Sequence, residues 1–473
     1  MGFGIRKGEI ACPATQLVRV FEGERMKFVA FGVLAMMVAV AGLLLMSREI
    51  NAAPKAGEKI PGQYIVIFAD GVNPGAVANE MADEHGLRLL HIYRHALNGF
   101  AAQVPEGRLR ALEKDPRVVF VEADRIVSIA HHCKGSHPKC GGDPTPTPTP
   151  TPVPPGDEPS GSQTVPTGIM RINGDLSSAL AGNGAGAVDV DVAIIDTGID
   201  LDHPDLNVVG GKNCVDDSTQ TKGNGKNKTG NGFDDGNGHG SHVAGTIGAY
   251  DNDAGVVGVA PGVRLWAVRV LDDKGSGTWS GVICGVDWVT GQSGVIEVAN
   301  MSLSGAGSGG LCSNSSLHQA ICNSVAAGVT YVVAAGNSGA DASIRVPAAY
   351  DEVITVSALA DFDGAPGGLG SPTCRSDDDD TFANFSNYGS DVDIIAPGVC
   401  ILSTWKEGAY KTISGTSMAS PHVAGAAALY LASHPNASPA QVKSALQSAG
   451  NTNWNSSDDP DNTKEKLLDV SGF

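Results

Sequence analysis

Three polar side chains stand at the ends of apolar or glycine-rich stretches, where reactive groups are often exposed. Asp196 lies in AIIDTGID (193–200), His239 in NGHGSHVAGT (237–246) and Ser417 in GTSMASPHVAG (415–425). A carboxylate can orient an imidazole, which then deprotonates a hydroxyl for attack on a carbonyl carbon. These residue types predict nucleophilic acyl transfer.

Ser417 also admits a purely structural interpretation. The run 424–431 is rich in Ala and Leu and predicts a buried helix, with Pro421 expected in its first turn. Ser417 would then lie at or just before the helix N-terminus, either as an N-cap or as a nucleophile whose helix start stabilises an oxyanion. Asn337, in AAGNSG (334–339), follows a predicted strand, and its amide could donate to the same oxyanion.

Composition and charge narrow the class of protein. The chain has 473 residues, enough for two or three domains, and 42% of them are hydrophobic, which favours folded structure. The formal net charge is −19, and residues 162–473 carry all of it, with 15 Lys and Arg against 34 Asp and Glu. This acidity argues against nucleic-acid binding and favours a soluble protein that works outside the cell.

An export signal is predicted near the N-terminus, in a leader that spans residues 1–53. Residues 28–46 carry no charge, follow Arg25 and Lys27, and lead to small residues at 51–53. This order is typical of a signal peptide, although the apolar core is also long enough for a membrane anchor. Met26 would make a more ordinary signal start than Met1. We expect a protein secreted to the extracellular space or periplasm, and membrane-bound only if the leader is retained.

A proline-rich spacer divides the rest of the chain into two modules. The stretch 144–155, PTPTPTPTPVPP, predicts an extended segment of roughly 37 Å within a linker over 131–161. Residues 60–130 alternate as strand, helix, strand, strand, helix and strand, which predicts a small α+β ferredoxin-like domain. Its last strand is expected over 118–122.

The large module, residues 162–473, predicts a doubly wound α/β domain with a mostly parallel sheet. Short β-branched runs at 190–195, 265–270, 295–301, 330–335 and 353–356 are typical of strands buried on both faces. Helical stretches lie between or after them. In this fold, site residues are expected at the carboxyl ends of strands.

The large module contains six cysteines, and an even number in an exported domain suggests disulfides. Fifteen pairings are possible, and Cys312–Cys322 is the natural first pair because its loop is short. Acidic stretches at 217–235 and 377–380 are interpreted as solvated loops that hold no ion.

The stretches around Asp196, His239, Asn337 and Ser417, in that order, resemble the subtilisin-like serine proteases over essentially all of residues 162–473. This resemblance implies a serine endopeptidase with Asp196, His239 and Ser417 as its triad. Asn337 and the Ser417 N–H would form the oxyanion hole. NMSLSG (300–305) resembles the family's edge strand, which pairs with the backbone of a polypeptide substrate. The substrate-binding residues implied are Ser302, Leu303, Ser304, Gly305, Ala334, Ala335 and Gly336. Arg345 leaves the preference of the primary specificity pocket open.

The resemblance also implies a structural Ca²⁺ ion. Three segments, SQTVP (162–166), HPDL (203–206) and AYDNDAGVVGVAP (249–261), are similar to those of the family's tight calcium site. All the ligand atoms would be oxygens, as Ca²⁺ prefers. The ligands implied are the side chains of Gln163, Asp205 and Asn252 and the carbonyl oxygens of Tyr250, Ala254 and Val256. An acidic surface loop without an ion is the alternative.

The small module resembles the family's propeptide, which assists folding and then blocks the active site as an intramolecular inhibitor. The mature N-terminus stays open, either near 129–132 or close to Ser162. The family pattern adds the pairs Cys214–Cys284 and Cys374–Cys400 to Cys312–Cys322. We expect a monomeric zymogen that processes itself.

Three other functions share some of these sequence features. A hydrolase or transacylase with broader substrates could use the same acyl-enzyme. A catalytically weak pseudo-protease would only bind extended peptide, which the intact set of polar residues disfavours. A dinucleotide-binding protein is excluded because the glycines of GNGAGAVDV (182–190) precede the predicted strand instead of following it.

Overall fold

The computed structural model describes residues 56–129, 162–215 and 232–473. The predicted leader and the linker over 131–161 lie outside these residues. The α-helices are α1 (Pro74–His85), α2 (Leu109–Leu112), α3 (Thr167–Arg171), α4 (His239–Gly248), α5 (Trp279–Thr290), α6 (Ser316–Ala326), α7 (Thr416–Ser433) and α8 (Pro439–Ala449). The strands are β1 (Lys59–Phe68), β2 (Arg88–Tyr93), β3 (Gly99–Gln103), β4 (Val118–Ile129), β5 (Asp191–Asp196), β6 (Val208–Asn213), β7 (Arg264–Arg269), β8 (Ser276–Thr278), β9 (Val298–Met301), β10 (Leu303–Ala306), β11 (Thr330–Ala334), β12 (Arg345–Val346), β13 (Ile354–Ala360), β14 (Thr381–Phe382), β15 (Ile394–Pro397), β16 (Ile401–Thr404) and β17 (Tyr410–Ile413).

A parallel sheet forms the centre of the large module. Its strands lie in the order β6, β7, β5, β9, β11, β13 and β15, and antiparallel β14 pairs with the end of β13. The chain adds strands to one side of β5 and then to the other, so the order reverses beside β5. Such a reversal opens a crevice at the carboxyl ends of the strands. The predicted doubly wound α/β fold is confirmed.

Helices cover both faces of this sheet. Side chains of α4, α7 and α8 pack with Val192 and Ile194 of β5 in one core. Side chains of α5 and α6 pack with Ala193 and Ile195 in the other core. Because alternate residues of a strand point to opposite faces, a continuous apolar run such as 192–195 is buried on both sides.

Helix α7 begins about one turn earlier in the chain than the sequence predicts. The helix starts at Thr416, with Gly415 as its N-cap, so Pro421 lies inside the helix and not in its first turn. A proline there leaves the carbonyl oxygen of Ser417, four residues earlier, without its helical donor. The hydroxyl of Ser302 donates to this oxygen at 2.9 Å and replaces the lost bond.

The small module has the predicted ferredoxin-like arrangement. Its antiparallel sheet has the order β4, β1, β3 and β2. Ala78 and Met81 of α1 pack on one face of this sheet. The other face, which includes Ile65 and Ile67, packs in the same core as α5 and α6 of the large module.

Strand β4 continues seven residues past its predicted end at Glu122. Its first half pairs with β1. Its second half leaves the small module and runs between β8 and β10 of the large module, antiparallel to both. The prediction of the strand end was wrong because the strand partners of residues 127–129 are more than 140 positions away in the chain.

Buried carboxylates form hydrogen bonds between the two modules. The carboxylate of Asp287, in α5, accepts the backbone N–H groups of Arg94, His95 and Ala96 at 2.7–2.9 Å. In the other direction, Asp124 of β4 accepts the N–H of Ser280 in the first turn of α5 at 3.1 Å. Carboxylates are favourable at helix N-termini because several backbone N–H groups there have no partner within the helix.

The structure contains three disulfides in the large module, Cys214–Cys284, Cys312–Cys322 and Cys374–Cys400, the three pairs expected. No helix among residues 56–129, 162–215 and 232–473 is long and apolar enough to cross a membrane.

The interpretation of residues 377–380 as a solvated loop was wrong. Asp377, Asp379 and Asp380 are each at most 6% exposed. The guanidinium of Arg171 donates to Asp380 at 2.6 and 2.8 Å, and backbone N–H groups donate to Asp379. A carboxylate can be buried when charged or polar donors replace the water that it loses.

Candidate active site

The carboxylate of Asp196 and the imidazole of His239 form a buried hydrogen-bonded pair. Asp196 ends β5 at the carboxyl edge of the sheet, and His239 is the first residue of α4. His239 Nδ1 lies 2.8 Å from Asp196 Oδ1, which also accepts the N–H of Thr197 at 2.7 Å. Gly238 precedes His239 with φ of 109°, a conformation that favours glycine, and lets the chain turn into the helix.

The electrostatics of this pair suit a base that works near neutral pH. Burial of the His239 ring opposes its protonation, but the Asp196 carboxylate attracts and hydrogen-bonds the imidazolium, so the pKa of His239 is raised from 6.5. Because Nδ1 faces the carboxylate, the lone pair of a neutral ring is at Nε2. Burial instead lowers the pKa of the neighbouring His242 to about 3 and that of His422 to about 4, so both stay neutral.

Ser417 is the second residue of α7, so it is not the N-cap. Its hydroxyl donates to the carbonyl oxygen of Ser302 at 3.3 Å. Helices α4 and α7, which carry His239 and Ser417, pack against each other. The structure therefore brings the carboxylate, the imidazole and the hydroxyl to one end of the parallel sheet.

Asn337 is anchored so that its amide nitrogen turns towards the start of α7. Its Oδ1 accepts the backbone N–H of Thr416 at 2.8 Å and the Thr416 hydroxyl at 2.9 Å. A Cβ built on Gly415 would lie 3.2 Å from Asn337 Nδ2 and 3.7 Å from the backbone nitrogen of Ser417. The Asn337 amide and the Ser417 backbone nitrogen thus lie near one point at the start of α7, an arrangement that suits an oxyanion hole.

Two strands line the cleft beside these residues. Leu303 and Ser304 of β10 pair with Ile129 and Ser128 of the small module. Strand β8 pairs with the same tail from the opposite side, with Gly277 opposite Val127. The sequence predicted the β10 wall and missed the β8 wall, because the glycine-rich stretch around 275–278 carries no strong strand pattern.

Gly305 and Gly336, which were also predicted to bind substrate, contact other parts of the protein and not the tail. Gly305 pairs with Val346 of β12 and not with the tail. Gly336 has φ of 105° and donates its N–H to the Thr416 hydroxyl at 3.1 Å. A Cβ on Gly336 would lie 3.8 Å from Cγ of Arg345, so the Arg345 stem borders the small-residue segment 334–336.

The sequence also missed the residues that support the site. The buried carboxylate of Asp235 accepts from the hydroxyls of Thr197 and Ser241 and from the N–H groups of Gly238 and Ser241, all within 2.9 Å. It therefore fixes the turn after Asp196 and the first turn of α4 at once. Asp235 belongs to the stretch 217–235 that was interpreted as a solvated loop, and at this buried residue that interpretation was wrong. Residues 217–231 of the stretch lie outside the described part of the chain.

The segments expected to bind calcium meet at one place. The carbonyl oxygens of Tyr250, Ala254 and Val256 converge on Gln163 Nε2, at 2.7, 3.3 and 3.3 Å. Oδ1 of Asp205 is buried without a hydrogen-bond donor in the described structure, and burial raises the pKa of this carboxyl to about 7. Asn252 is exposed in the same loop, and its Oδ1 accepts the N–H of Ala254 at 3.2 Å. Rotating the side-chain amide of Gln163 by 180° would exchange its nitrogen and oxygen and direct the oxygen towards the three carbonyl oxygens. The resulting group of oxygen ligands fits a hard cation.

Comparison with known proteins agrees with this geometry. Residues 188–467 match the subtilase family, and residues 63–130 match the peptidase inhibitor I9 family. Subtilisin DY of Bacillus licheniformis is 44% identical over 290 residues, which cover 61% of this chain and 92% of the relative. Subtilisin NAT of Bacillus subtilis subsp. natto is 35% identical over 421 residues, 88% of this chain and 92% of the relative. An extracellular serine proteinase of a Thermus species is 37% identical over 416 residues, with 83% and 85% coverage.

The subtilase match covers more than half of the chain, and the relatives also extend over the small module. A parallel α/β sheet carries the Asp, His and Ser residues in the order that the family uses. This chain therefore belongs to the subtilase family of serine proteases, with an I9-type propeptide as its small module.

Proposed function

We propose that Asp196, His239, Asn337 and Ser417 carry out peptide-bond hydrolysis in this secreted serine endopeptidase. The observation that supports this most strongly is the buried bond between His239 Nδ1 and Asp196 Oδ1, at the same sheet edge as the Ser417 hydroxyl. A histidine with a purely structural role needs neither a raised pKa nor a position beside the cleft.

The four residues act in sequence. The Ser417 hydroxyl turns from the Ser302 carbonyl towards Nε2 of His239, gives up its proton to this nitrogen and attacks the scissile carbonyl carbon. The Ser417 N–H and Asn337 Nδ2 bind the oxygen as it becomes negative. His239 then protonates the leaving amine, and a water molecule releases the acyl group by the same route. Asp196 orients the ring and stabilises the imidazolium.

The pairing of the propeptide tail supports a proposal for the bond that is cleaved first. Ser128 pairs with Ser304 and Ile129 with Leu303. If the same register continued by one residue, Ala130 would come opposite Ser302. The carbonyl oxygen of Ser302 is the one that accepts the Ser417 hydroxyl. We therefore assign the first cleavage to the bond between Ala130 and His131. The domain boundaries follow: a propeptide that ends at Ala130 and a mature chain that begins with the linker.

The pseudo-protease alternative is weaker. A domain that only binds extended peptide needs the walls formed by β8 and β10. It has no use for a donor pair aimed beside the Ser417 hydroxyl or for a buried carboxylate that orients His239.

A calcium ion would be held by Asp205, Gln163, Asn252 and the three converging carbonyl oxygens. These groups come from segments that are far apart in sequence, so the ion would tie them together in the folded state only. It would supply stability and take no part in acyl transfer. The mature enzyme is proposed to work as a monomer outside the cell.

Ser417→Ala should abolish proteolysis and leave the precursor uncut, because the same hydroxyl performs both reactions. The measurement is the chain length of the purified variant, made without other proteases. Ser420→Ala, which removes a hydroxyl one turn further along α7, serves as the control and should still be processed. Mature-length product from the Ser417 variant would contradict self-processing.

Asn337→Leu should lower kcat by about 10²–10³ and change KM little, since the amide contacts the oxyanion more strongly than the ground-state carbonyl. Steady-state kinetics on a small peptide substrate measure both constants. Loss of kcat and of substrate affinity to the same degree would assign Asn337 a binding role instead.

Asp205→Asn should shorten the lifetime of the heated enzyme and make it insensitive to added calcium, while initial rates at room temperature stay close to normal. A ligand that binds only the native state at a thousand times its Kd contributes about 4 kcal/mol. Residual activity after heating, with calcium or with a chelator, measures the effect, and exposed Asp253→Asn is the matched control. Immediate, reversible loss of the initial rate on chelation would make the ion catalytic and overturn the assignment.

A further inference from the structure

Arg345 differs from the other arginines of the large module because its charge has no acidic partner. The module contains five arginines. Four of them form ion pairs with aspartates, namely Arg171, Arg264, Arg269 and Arg375. Among the residues that the structure describes, Arg345 forms no ion pair, and its one side-chain hydrogen bond goes to a serine hydroxyl. In a module of strongly negative net charge, this guanidinium is free to bind a negatively charged group from outside.

The backbone of Arg345 is joined to one wall of the cleft. Arg345 begins β12 and pairs with Ala306 of β10. Earlier residues of β10, Leu303 and Ser304, pair with the propeptide tail. Arg345 is therefore attached to the strand that holds the tail, two residues beyond the last one that pairs with it.

The side chain of Arg345 contacts the other predicted wall of the primary specificity pocket. A Cβ built on Gly336 would lie 3.8 Å from Arg345 Cγ, so the aliphatic stem borders the segment 334–336. Further along the side chain, Nη2 donates to the hydroxyl of Ser338 at 3.0 Å. Gly336 and Ser338 flank Asn337, whose amide is proposed to bind the oxyanion. The guanidinium is thus held beside the segment that carries the oxyanion donor.

The two walls that Arg345 joins carry only very small side chains. Residues 305–306 of β10 and residues 334–336 of the other wall are all glycine or alanine. These residues leave room for a substrate side chain and have no group that could recognise its end. If Asn337 binds the scissile carbonyl oxygen, the side chain on the adjoining substrate Cα begins beside the same segment. Arg345 is then the charged group that this side chain can reach.

We propose that Arg345 selects polypeptide substrates with a glutamate on the acyl side of the scissile bond. This inference rests on the proposed function of Asn337 and Ser417. One guanidinium can donate two parallel N–H groups to a carboxylate, and glutamate is long enough to extend past the small residues of the walls. Glutamine has the same shape without the charge. The expected preference for glutamate over glutamine is about tenfold in kcat/KM, the lower end for a charge-assisted hydrogen bond, because Arg345 is only half-buried.

The proposed first cleavage, after Ala130, is compatible with this preference. An alanine side chain is too short to contact the guanidinium. The tail does not need that contact, because its pairing with β8 and β10 holds it in the cleft at a high effective concentration. The preference therefore concerns separate polypeptide substrates.

The test compares peptide substrates that differ only in the residue before the scissile bond. Each peptide copies residues 127–129 of the tail, Val-Ser-Ile, continues with Glu, Gln, Ala or Lys, and ends in a chromogenic amide. With the mature enzyme, kcat/KM should be about tenfold higher for Glu than for Gln, and lowest for Lys because like charges repel. The difference between Glu and Gln should lie mainly in KM, since the ion pair forms in the ground state and the transition state alike. It should become smaller as the salt concentration rises.

Substitutions assign the preference to one side chain. Arg345→Met keeps an aliphatic stem without the charge and should abolish the preference for Glu over Gln. Arg345→Lys keeps the charge without the planar fork and should retain part of the preference. Lys464→Met, the control, removes a positive charge from an exposed loop that follows α8 and should leave the ratio of the two kcat/KM values unchanged.

Equal kcat/KM values for Glu and Gln in the parent enzyme would overturn this inference and leave the proposed function intact. A preference that persists in Arg345→Met, or that Lys464→Met also abolishes, would overturn it too, because the carboxylate would then be recognised by another group or by the net charge of the domain. Hydrolysis of none of the four peptides would contradict the proposed function itself, and this inference with it. Should Arg345→Met fail to fold, the Glu-to-Gln ratio of the parent and its salt dependence still decide the question.

Discussion

Strand β4 is the element on which the arrangement of the whole molecule depends, because it belongs to two modules at once. Its first half completes the propeptide sheet beside β1. Its second half fills the cleft between β8 and β10. Backbone hydrogen bonds fix register strictly, so the position of the propeptide core determines which residues of the tail lie opposite Leu303 and Ser304. We infer that inhibition and self-cleavage both depend on this one pairing.

The groups proposed to be catalytic are held by contacts outside this pairing. Asp196 lies at the end of one strand of the parallel sheet, and Asn337 follows the end of another. His239 and Ser417 lie in the first turns of two buried helices. Buried polar groups lock these pieces together, with Asp235 fixing the start of α4 and Thr416 fixing Asn337. A rigid site of this kind can stabilise charge in a transition state without reorganising.

Much of the fold followed from local pattern, and the failures have a common physical cause. Apolar runs predicted the central strands, and the residues around Asp196, His239 and Ser417 predicted the chemistry. The wrong expectations concerned groups whose partners are remote. Pro421 is tolerated inside α7 because Ser302 replaces a bond, and Asp380 is buried because Arg171, over 200 positions away, neutralises it.

The central claim is that the propeptide tail lies in the cleft as the first substrate, in the register that β4 defines. The most direct measurement is the N-terminal sequence of the earliest mature product, taken at short times after the purified precursor is allowed to fold. We expect His131 as its first residue, with a propeptide fragment that ends at Ala130. A first product that begins at Ser162, or at any other residue, would show that the register in the cleft is not the one that is cleaved, and would contradict the account.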